Sequence, residues 1–558
     1  MKKSLLLSIL SLFFIQCISV KQKVKASKNT NIQTTETAKP KLVVGIVVDQ
    51  MRYDYLTRFQ SKYSDGGFMR MLKNGYNCKN NHYNYIPTYT GPGHASVYTG
   101  TTPENHGIIA NDWYDKFEKK EVYCASDASQ SSVGVEGQWA GKMSPHRMQT
   151  TTVTDQLRLD TQQRGKVIGI AIKDRGAILP AGHSANGAYW FYGKDKGNWI
   201  TSTYYTNELP TWVKEFNAAD EAEKYMTTWN TLYDINTYVE SDTDLSKYEG
   251  TFKGKANATF PYDLKSLQEE NGGFDILKAT AYGNNLTTDF AIAAIKGENL
   301  GQDNDTDFLA VSYSSTDYVG HRFGVNSKEI QDTYLRLDQD IERLFATLDA
   351  EVGKGNYTIF LTADHAAVHV PSFLQDQKIP AGYFDSKPLK DHLKSFLNTM
   401  YGSENLIENI SSGQVFLNYE EIKRLKLSTT AIENALQQEL LSYDKISKVY
   451  TRTAFLNSEF THGIAASLQR GFNQKRSGDV CFVLDIATIP YSRTGSTHGS
   501  GFNYDTHVPL LFYGNGIQKG ETLQRTEITD IAPTISALLE ISFPNASTGN
   551  PIESALKN

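Results

Sequence analysis

Five short apolar runs, rich in β-branched residues, recur along the chain and alternate with segments of helical periodicity. The runs are 41–49 (KLVVGIVVD), 166–172 (KVIGIAI), 307–315 (DFLAVSYSS), 356–363 (NYTIFLTA) and 507–514 (HVPLLFYG). A continuous apolar run is typical of a strand that is buried on both faces. The segment 327–352 instead has the spacing of an amphipathic helix. This alternation predicts an α/β fold with a mostly parallel central sheet sandwiched by helices.

Two regions interrupt the alternation, and we interpret both as insertions. Residues from about 185 to 295 are rich in Tyr, Trp, Asn and Thr, and residues from about 370 to 490 mix helical stretches with short strands. Neither region is bounded by a clear linker, so we expect a cap or wall over a site rather than separate domains. One domain is therefore expected over residues 41–558.

The first 40 residues have a different pattern. Two lysines precede an apolar run of about a dozen residues that stops at Cys17, as in a secretory signal. The run is shorter than the roughly 20 residues that a membrane span requires. Two routes stay open: a lipid anchor on Cys17, or cleavage after Ala26, which makes residues 1–26 the signal peptide. Residues 27–40 are polar and predict a flexible tether, and either route predicts a periplasmic, outer-membrane-anchored or secreted protein.

Composition, net charge and cysteine spacing limit the classes of protein to which this chain can belong. The chain has 558 residues, of which 39% are hydrophobic and 21% charged, so it can bury a large core. Its net charge is -6 and no basic cluster dominates, which predicts no nucleic-acid partner. Beyond Cys17, the spacing of Cys78, Cys124 and Cys481 fits neither a disulfide scaffold nor a thiolate zinc site. At most one bridge can form among these three cysteines, and its pairing is left open.

Potential metal ligands directly follow the predicted strands, where α/β sheets bind their ligands. Four segments supply carboxylates and imidazoles: VVDQM with Asp49, STDYVGH with Asp317 and His321, TADHAAVH with Asp364 and His365, and GSTHGS with His498. Mixed imidazole and carboxylate ligands suit zinc. Two metal ions can bind the attacking and the leaving oxygen of a phosphoryl displacement, so the set indicates a two-metal hydrolase. The alternative is a set of helix-capping aspartates and core histidines.

The segment IPTYTGPGHASVYTG offers a nucleophile. Thr90 precedes Gly-Pro-Gly and a short helical stretch, so its hydroxyl is expected at a helix N-terminus, where an anion is stabilised. Thr88 and Ser96 are rivals that spacing alone does not exclude.

The ordered set of Asp49, Thr90, Asp317, His321, Asp364, His365 and His498 resembles the metal and nucleophile signature of the alkaline phosphatase superfamily. The segments ANDWYD, IKDR, PAGH, KRSGD and TDIAPTISALL narrow the resemblance to the monomeric, phosphate-irrepressible alkaline phosphatases of Bacteroidetes-type bacteria. The likeness runs from about Lys41 to the C-terminus. It implies an alkaline-phosphatase-like catalytic domain over residues 41–558 and a monomeric protein.

The resemblance also implies a set of ligands and an intermediate. One zinc ion would be held by Asp317, His321 and His498. The other would be held by Asp49, Asp364, His365 and the Thr90 oxygen. Zinc would lower the pKa of the Thr90 hydroxyl, which would attack phosphorus and form a phosphothreonine intermediate that water then hydrolyses.

Three further residues match positions that hold the non-bridging phosphate oxygens in these monoesterases: Asn111, Lys173 and Arg175. The implied activity is hydrolysis of small phosphate monoesters to inorganic phosphate. Ala366 stands where glycine is usual, and TGPGH departs from the expected residues after the nucleophile, which puts substrate preference in doubt. His369, four residues after His365, is a candidate further ligand, but we expect it to support a ligand or to pack.

Two other functions compete with this one. A phosphodiesterase or nucleotide pyrophosphatase of the same superfamily would share the metals and the threonine. A surface binding protein that has lost catalysis is the alternative from a different class. A sulfatase is excluded, because TGPGH provides no cysteine or serine in a C/S-x-P-x-R motif.

Overall fold

The structure is a computed structural model, and it describes residues 39–557. The predicted signal, Cys17, Ala26 and the tether up to residue 38 lie outside the described residues, so export and lipid attachment stay predictions. Within residues 39–557, no helix has both the length and the apolar character needed to cross a membrane.

The strands used below belong to a central sheet, a smaller sheet and a hairpin, and residues 39–557 also contain three pairs of two-residue strands. In chain order they are β1 (Leu42–Val48), β2 (Tyr76–Cys78), β3 (Asp112–Asp115), β4 (Lys120–Tyr123), β5 (Ser132–Val133), β6 (Val167–Ala171), β7 (Gly187–Tyr192), β8 (Asn198–Ser202), β9 (Asp307–Tyr313), β10 (Tyr357–Thr362), β11 (Ile407–Ser411), β12 (Gln414–Leu417), β13 (Ile446–Thr451), β14 (Val480–Leu484), β15 (Leu510–Gly514) and β16 (Gly520–Thr522).

The helices used below are α1 (Thr90–Thr99), α2 (Asp174–Ala181), α3 (Ala281–Gly297), α4 (Ser315–Phe323), α5 (Lys328–Leu348), α6 (Ser386–Tyr401), α7 (Thr429–Ser442) and α8 (Ile531–Leu539). The helix predicted over 327–352 is confirmed as α5. Its first turn is capped by the hydroxyl of Ser327, which accepts a hydrogen bond from the backbone N–H of Ile330 at 3.1 Å.

The central sheet has ten strands in the order β16-β2-β15-β10-β1-β9-β6-β7-β8-β5. Its middle is parallel: β1 lies between β9 and β10, and β6 pairs with β9 and with β7 in the same direction. Every residue of β1 is buried, and because successive side chains point to opposite faces, both faces of the sheet are covered. Helix α1 packs against α2 and α8, and α3 packs against α5. The predicted mostly parallel α/β fold is confirmed.

The last predicted strand differs in direction from the others. β15 runs antiparallel to β10. A buried apolar run shows that a strand is covered on both faces, but it carries no information about the direction in which the strand runs. All five predicted strands are present, and four of them, β1, β6, β9 and β10, are parallel neighbours in the sheet.

The two interrupting regions have different relationships to the sheet. In the first region, β7 pairs parallel with β6 and β8 pairs antiparallel with β7, so both strands extend the central sheet. The second region contains a separate four-stranded sheet in the order β11-β12-β14-β13. This sheet and helices α6 and α7 share a hydrophobic cluster of their own. The boundaries of a cap over the site stay a prediction.

Cys78, Cys124 and Cys481 are all buried and free, so the structure contains no disulfide among them. Burial raises the pKa of Cys78 and of Cys481 to about 12, and it raises the pKa of Cys124 as well. Because the thiolate is the reactive form of cysteine, all three thiols are expected to be inert in the folded protein.

We predict that iodoacetamide labels these three cysteines only after unfolding. The native and the denatured protein would be alkylated at pH 8 and mapped by mass spectrometry of their peptides. Labelling of any of the three in the native protein, or a disulfide-linked peptide, would contradict the structure.

Candidate metal centre and phosphate-binding residues

The predicted site residues meet at one edge of the central sheet. β1, β6, β9 and β10 are parallel neighbours, so their carboxyl ends lie side by side. Asp49 directly follows β1, Lys173 follows β6, and α4 with Asp317 begins just after β9. Asp364 and His365 follow β10. The strand-end positions that were predicted from the sequence are thus brought together by the parallel part of the sheet.

Two groups of side chains in residues 39–557 could hold a metal ion. The first consists of Asp317, His321 and His498, and the second of Asp49, Asp317 and His365. In each group the ligand atoms lie within 4.8 Å of one another. Because Asp317 belongs to both groups, the two sites adjoin. This is the arrangement needed for a two-metal centre.

The second group has a further carboxylate beside it. His365 Nε2 lies 3.5 Å from Asp49 Oδ1 and 3.6 Å from Asp364 Oδ2. All three of these atoms are buried and have no hydrogen-bond partner among the described residues. Such atoms are costly to leave unsatisfied, and a cation bound between them would satisfy all three. The residues present therefore fit a metal ion. The assignment of Asp364 to the second ion stays a prediction.

Backbone carbonyls set the tautomers of the three histidines. His321 Nδ1 lies 2.7 Å from Ser496 O, His498 Nδ1 lies 2.7 Å from Thr88 O, and His365 Nδ1 lies 3.1 Å from Ala366 O. A carbonyl oxygen only accepts, so each Nδ1 carries the proton. When the ring is neutral, Nε2 therefore has the lone pair on the side of the carboxylates, as in a metal-ligating imidazole.

The buried environment keeps two of these imidazoles neutral. Burial lowers the pKa of His365 to about 3, and burial together with the neighbouring His365 lowers the pKa of His498. The two rings stack with their centroids 3.4 Å apart. The pKa of His321 is raised instead, because the Asp317 carboxylate outweighs the effect of burial. His321 Nε2 lies 3.1 Å from Asp317 Oδ1.

Lys173 lies between the two groups and partly compensates their charge. Its Nζ lies 2.7 Å from Asp49 Oδ2 and 2.6 Å from Asp317 Oδ2. Burial opposes the charge of Lys173, but Asp317 and Asp49 raise its pKa. Burial, reinforced by neighbouring carboxylates, raises the pKa of Asp49, and burial raises that of Asp364 to about 6. Lys173 opposes both shifts, so its ammonium offsets part of the cost of burying these two carboxylates.

The nucleophile candidates differ in their contacts. The Thr88 hydroxyl donates to Ser500 O at 2.9 Å, and Ser96 Oγ is hydrogen-bonded to His106 Nε2 at 2.9 Å. The Thr90 hydroxyl, at the first residue of α1, makes no hydrogen bond to any residue in the range 39–557. Of the three candidates, Thr90 therefore has the hydroxyl that is free to act as a nucleophile.

Close packing brings the start of α1 to the second group. A Cβ at Gly93 would lie 2.4 Å from Asp364 O, so only glycine permits this approach. His94, one residue further, bonds through Nδ1 to Thr90 O at 2.9 Å and through Nε2 to Ser312 Oγ at 2.8 Å. The helix that begins with Thr90 is thereby fixed to β9 and to the strand end that carries Asp364.

Gln50 and His94 are site residues that sequence reasoning missed. Gln50 adopts a positive φ of 64°, donates from its backbone N–H to Asp364 Oδ1 at 3.1 Å, and donates from Nε2 to Asp317 Oδ1 at 2.6 Å. It thus links carboxylates that follow two different strands. The only available signal was its position next to Asp49, which does not distinguish it from an ordinary turn residue.

The three predicted phosphate-binding residues surround the same region. Asn111 Oδ1 accepts a hydrogen bond from Gly91 N at 2.7 Å. The NH2 group of Asn111 therefore points away from Gly91, and it has no acceptor in the described part of the chain. The Arg175 Nε is also unpaired among these residues. These donors, together with the Lys173 ammonium, suit an anion with several oxygens.

His369 lies outside both groups. Its Nδ1 accepts from Asn326 Nδ2 at 3.1 Å, and its ring stacks on Phe373. These contacts indicate packing and positioning.

The fold and the two adjoining groups define an α/β protein with a candidate two-metal centre at the carboxyl edge of its sheet. Residues 43–507 match the family of type I phosphodiesterases and nucleotide pyrophosphatases. The chain is 47% identical to a calcium-transporting ATPase of Myroides odoratus, with 93% of this chain and 95% of that protein covered. It is 45% identical to alkaline phosphatase PafA of Elizabethkingia meningoseptica, again with 93% and 95% covered.

The crystal structure of wild-type PafA superposes on this fold with a TM-score of 0.90 and 45% sequence identity, and covers 93% of this chain and 99% of that chain. The chain belongs to the alkaline phosphatase superfamily, as the resemblance in its sequence indicated. It is a homologue of PafA over nearly its whole length.

We predict that Asp317→Asn lowers the metal content of the protein more than His321→Ala does, because Asp317 serves both groups and His321 only one. Removal of a residue that only hydrogen-bonds to a metal ligand weakens metal binding roughly 10–100-fold. Each of these two substitutions should weaken it more, because each removes a ligand. Metal content would be measured by elemental analysis after dialysis against limiting zinc. His369→Ala is the control and should retain wild-type content, whereas equal losses in the Asp317 and His321 variants would contradict a shared Asp317.

Proposed function

We propose that this protein is an exported phosphomonoesterase that hydrolyses phosphate monoesters through a phosphothreonine on Thr90. The observation that carries the proposal is the position of Thr90. Its free hydroxyl begins a helix that packs against the strand end with Asp364, beside two adjoining groups of metal ligands.

We infer that both ions are zinc, since the ligands mix imidazole with carboxylate. Asp317, His321 and His498 would hold one ion, and Asp49, Asp364, His365 and the Thr90 oxygen the other. Two zinc ions, when bound, would lower the pKa of the Thr90 hydroxyl and stabilise the leaving oxygen of the ester.

Thr90 then acts as the nucleophile. Its oxygen forms a bond to phosphorus as the bond to the ester oxygen breaks, and the leaving alcohol departs with a proton. Water subsequently attacks the phosphothreonine, which restores the Thr90 hydroxyl and releases inorganic phosphate. The position of the hydroxyl at the N-terminus of α1 favours the negative charge that develops there.

Asn111, Lys173 and Arg175 would bind the non-bridging oxygens. The Asn111 amide is held by Gly91 N, directly after Thr90, so its NH2 is oriented before the ester arrives. A monoester dianion carries more negative charge than a diester, so two cationic side chains favour the monoester. This argument supports a monoesterase over a phosphodiesterase, although the matched family includes phosphodiesterases in its description.

The names of the relatives agree with this chemistry. An alkaline phosphatase and an ATPase both transfer a phosphoryl group to water. Export is supported by the apolar run that precedes Cys17, and a monomer is supported by the resemblance to monomeric alkaline phosphatases. Both remain part of the proposal.

The central test compares p-nitrophenyl phosphate with bis-p-nitrophenyl phosphate as substrates. We expect the purified protein to prefer the monoester, to lose activity on chelation and to regain it when zinc is returned. A preference for the diester would show a phosphodiesterase, and an inactive protein with zinc bound would support a binding protein without catalysis.

We predict that Thr90→Ala lowers kcat by at least about a thousandfold, because the hydroxyls of the other two candidates, Thr88 and Ser96, are already hydrogen-bonded. Thr90→Ser should retain measurable turnover through its smaller hydroxyl. Ser96→Ala, on the same helix, is the matched control and should keep most of the activity. Full turnover by the alanine variant at position 90, measured under saturating substrate, would exclude Thr90 as the nucleophile.

A further inference from the structure

The guanidinium of Arg175 has one side-chain partner in the described part of the chain. Its Nη1 donates to the hydroxyl of Tyr123 at 3.1 Å, and the guanidinium carbon lies 5.9 Å from the centre of the Tyr123 ring. No carboxylate forms a salt bridge with Arg175 within residues 39–557, and its Nε is unpaired there. Tyr123 is therefore the contact that determines where this guanidinium lies.

The Tyr123 hydroxyl is itself oriented. It donates its proton to Asp174 Oδ1, an oxygen that also accepts from Arg175 N at 2.6 Å. A carboxylate only accepts and a guanidinium only donates, so the chain of hydrogen bonds has one direction, from Arg175 through Tyr123 to Asp174. Burial raises the pKa of Tyr123 well above its ordinary value, so the phenol keeps its proton.

Tyr123 belongs to an element that also holds another phosphate-binding residue. It ends β4, where it pairs with Asp112 at the start of β3, and Cys124 N donates to Asn111 O at 2.8 Å. Asn111 in turn accepts from Gly91 N at the start of α1. The β3–β4 hairpin thus connects the nucleophile, the Asn111 amide and the Arg175 guanidinium.

We propose that Tyr123, oriented by Asp174, is a positioning residue that holds Arg175 ready for the transferring phosphoryl group. The proposal rests on the function proposed above and concerns how the monoester is selected. Arginine has many rotamers, and a guanidinium that is already held at the site loses less conformational freedom when it binds an oxyanion. The contribution of Tyr123 should therefore be expressed only through Arg175.

The test is a double-mutant cycle in the full-length, zinc-loaded enzyme, with kcat/KM measured for p-nitrophenyl phosphate and its bis ester. We expect Tyr123→Phe to lower monoester kcat/KM by about tenfold and diester kcat/KM by less than about twofold. In a chain that already carries Arg175→Ala, the same change should have no further effect on the monoester.

The hairpin offers a matched control. Tyr114 lies on β3, and its hydroxyl donates to Glu408 and makes no hydrogen bond with Arg175. Tyr114→Phe should leave both substrates unaffected. Asp174→Ala is a second variant that keeps the Tyr123 ring, and it should lower monoester kcat/KM selectively, as Tyr123→Phe does. Thermal melting would be measured for every variant.

Equal losses on the two substrates, or a further loss in the Arg175→Ala background, would overturn the positioning role and leave Tyr123 with a structural one. An unchanged Tyr123→Phe enzyme would also overturn it. Failure of the proposed function has a different signature: the wild-type enzyme would not prefer the monoester, or Arg175→Ala would not reduce that preference. Either result would remove the basis for the role of Tyr123 as well.

Discussion

The structure depends on the burial of three carboxylates, those of Asp49, Asp317 and Asp364, at one edge of the sheet. Each is at most 3% exposed, so water cannot screen their mutual repulsion. The Lys173 ammonium contacts two of them, but one positive charge does not balance three negative ones. Cations bound at this edge would therefore relieve the repulsion. The same imbalance of charge favours metal ions as ligands of the site.

The fold fixes the positions of these carboxylates and of the imidazoles beside them. Because β1 lies between β9 and β10 in a parallel arrangement, the residues after these strands emerge together. The imidazoles are then oriented by backbone carbonyls, which hold the rings without adding any charge. Gln50 links the carboxylates of Asp317 and Asp364 through its side chain and its backbone. These contacts leave Asp49 Oδ1, Asp364 Oδ2 and His365 Nε2 without a hydrogen-bond partner among residues 39–557, and so free to bind a metal ion.

The sequence predicted the parts of this arrangement that follow from local patterns. Apolar runs locate the strands. A single aspartate or histidine after a strand is equally typical of a helix cap or a core residue, and the recurrence of such residues after several strands is what indicated ligands. The antiparallel direction of β15 was not predictable, since burial on both faces is the same for either direction. Gln50, His94 and Tyr123 were not predicted either. Their roles arise from contacts between distant segments, and glutamine, histidine and tyrosine have no spacing that indicates such contacts.

The metal ligands do not by themselves separate monoester from diester chemistry. The matched family of phosphodiesterases and nucleotide pyrophosphatases spans residues 43–507, which include every ligand from Asp49 to His498. The proposed preference for monoesters would arise from groups that respond to their extra charge, namely Lys173 just after β6 and Arg175 at the start of α2. Lys173 is fixed by the ligands themselves, whereas Arg175 is held through the β3–β4 hairpin. On the proposed function, substrate selection would therefore depend on a hairpin outside the central sheet.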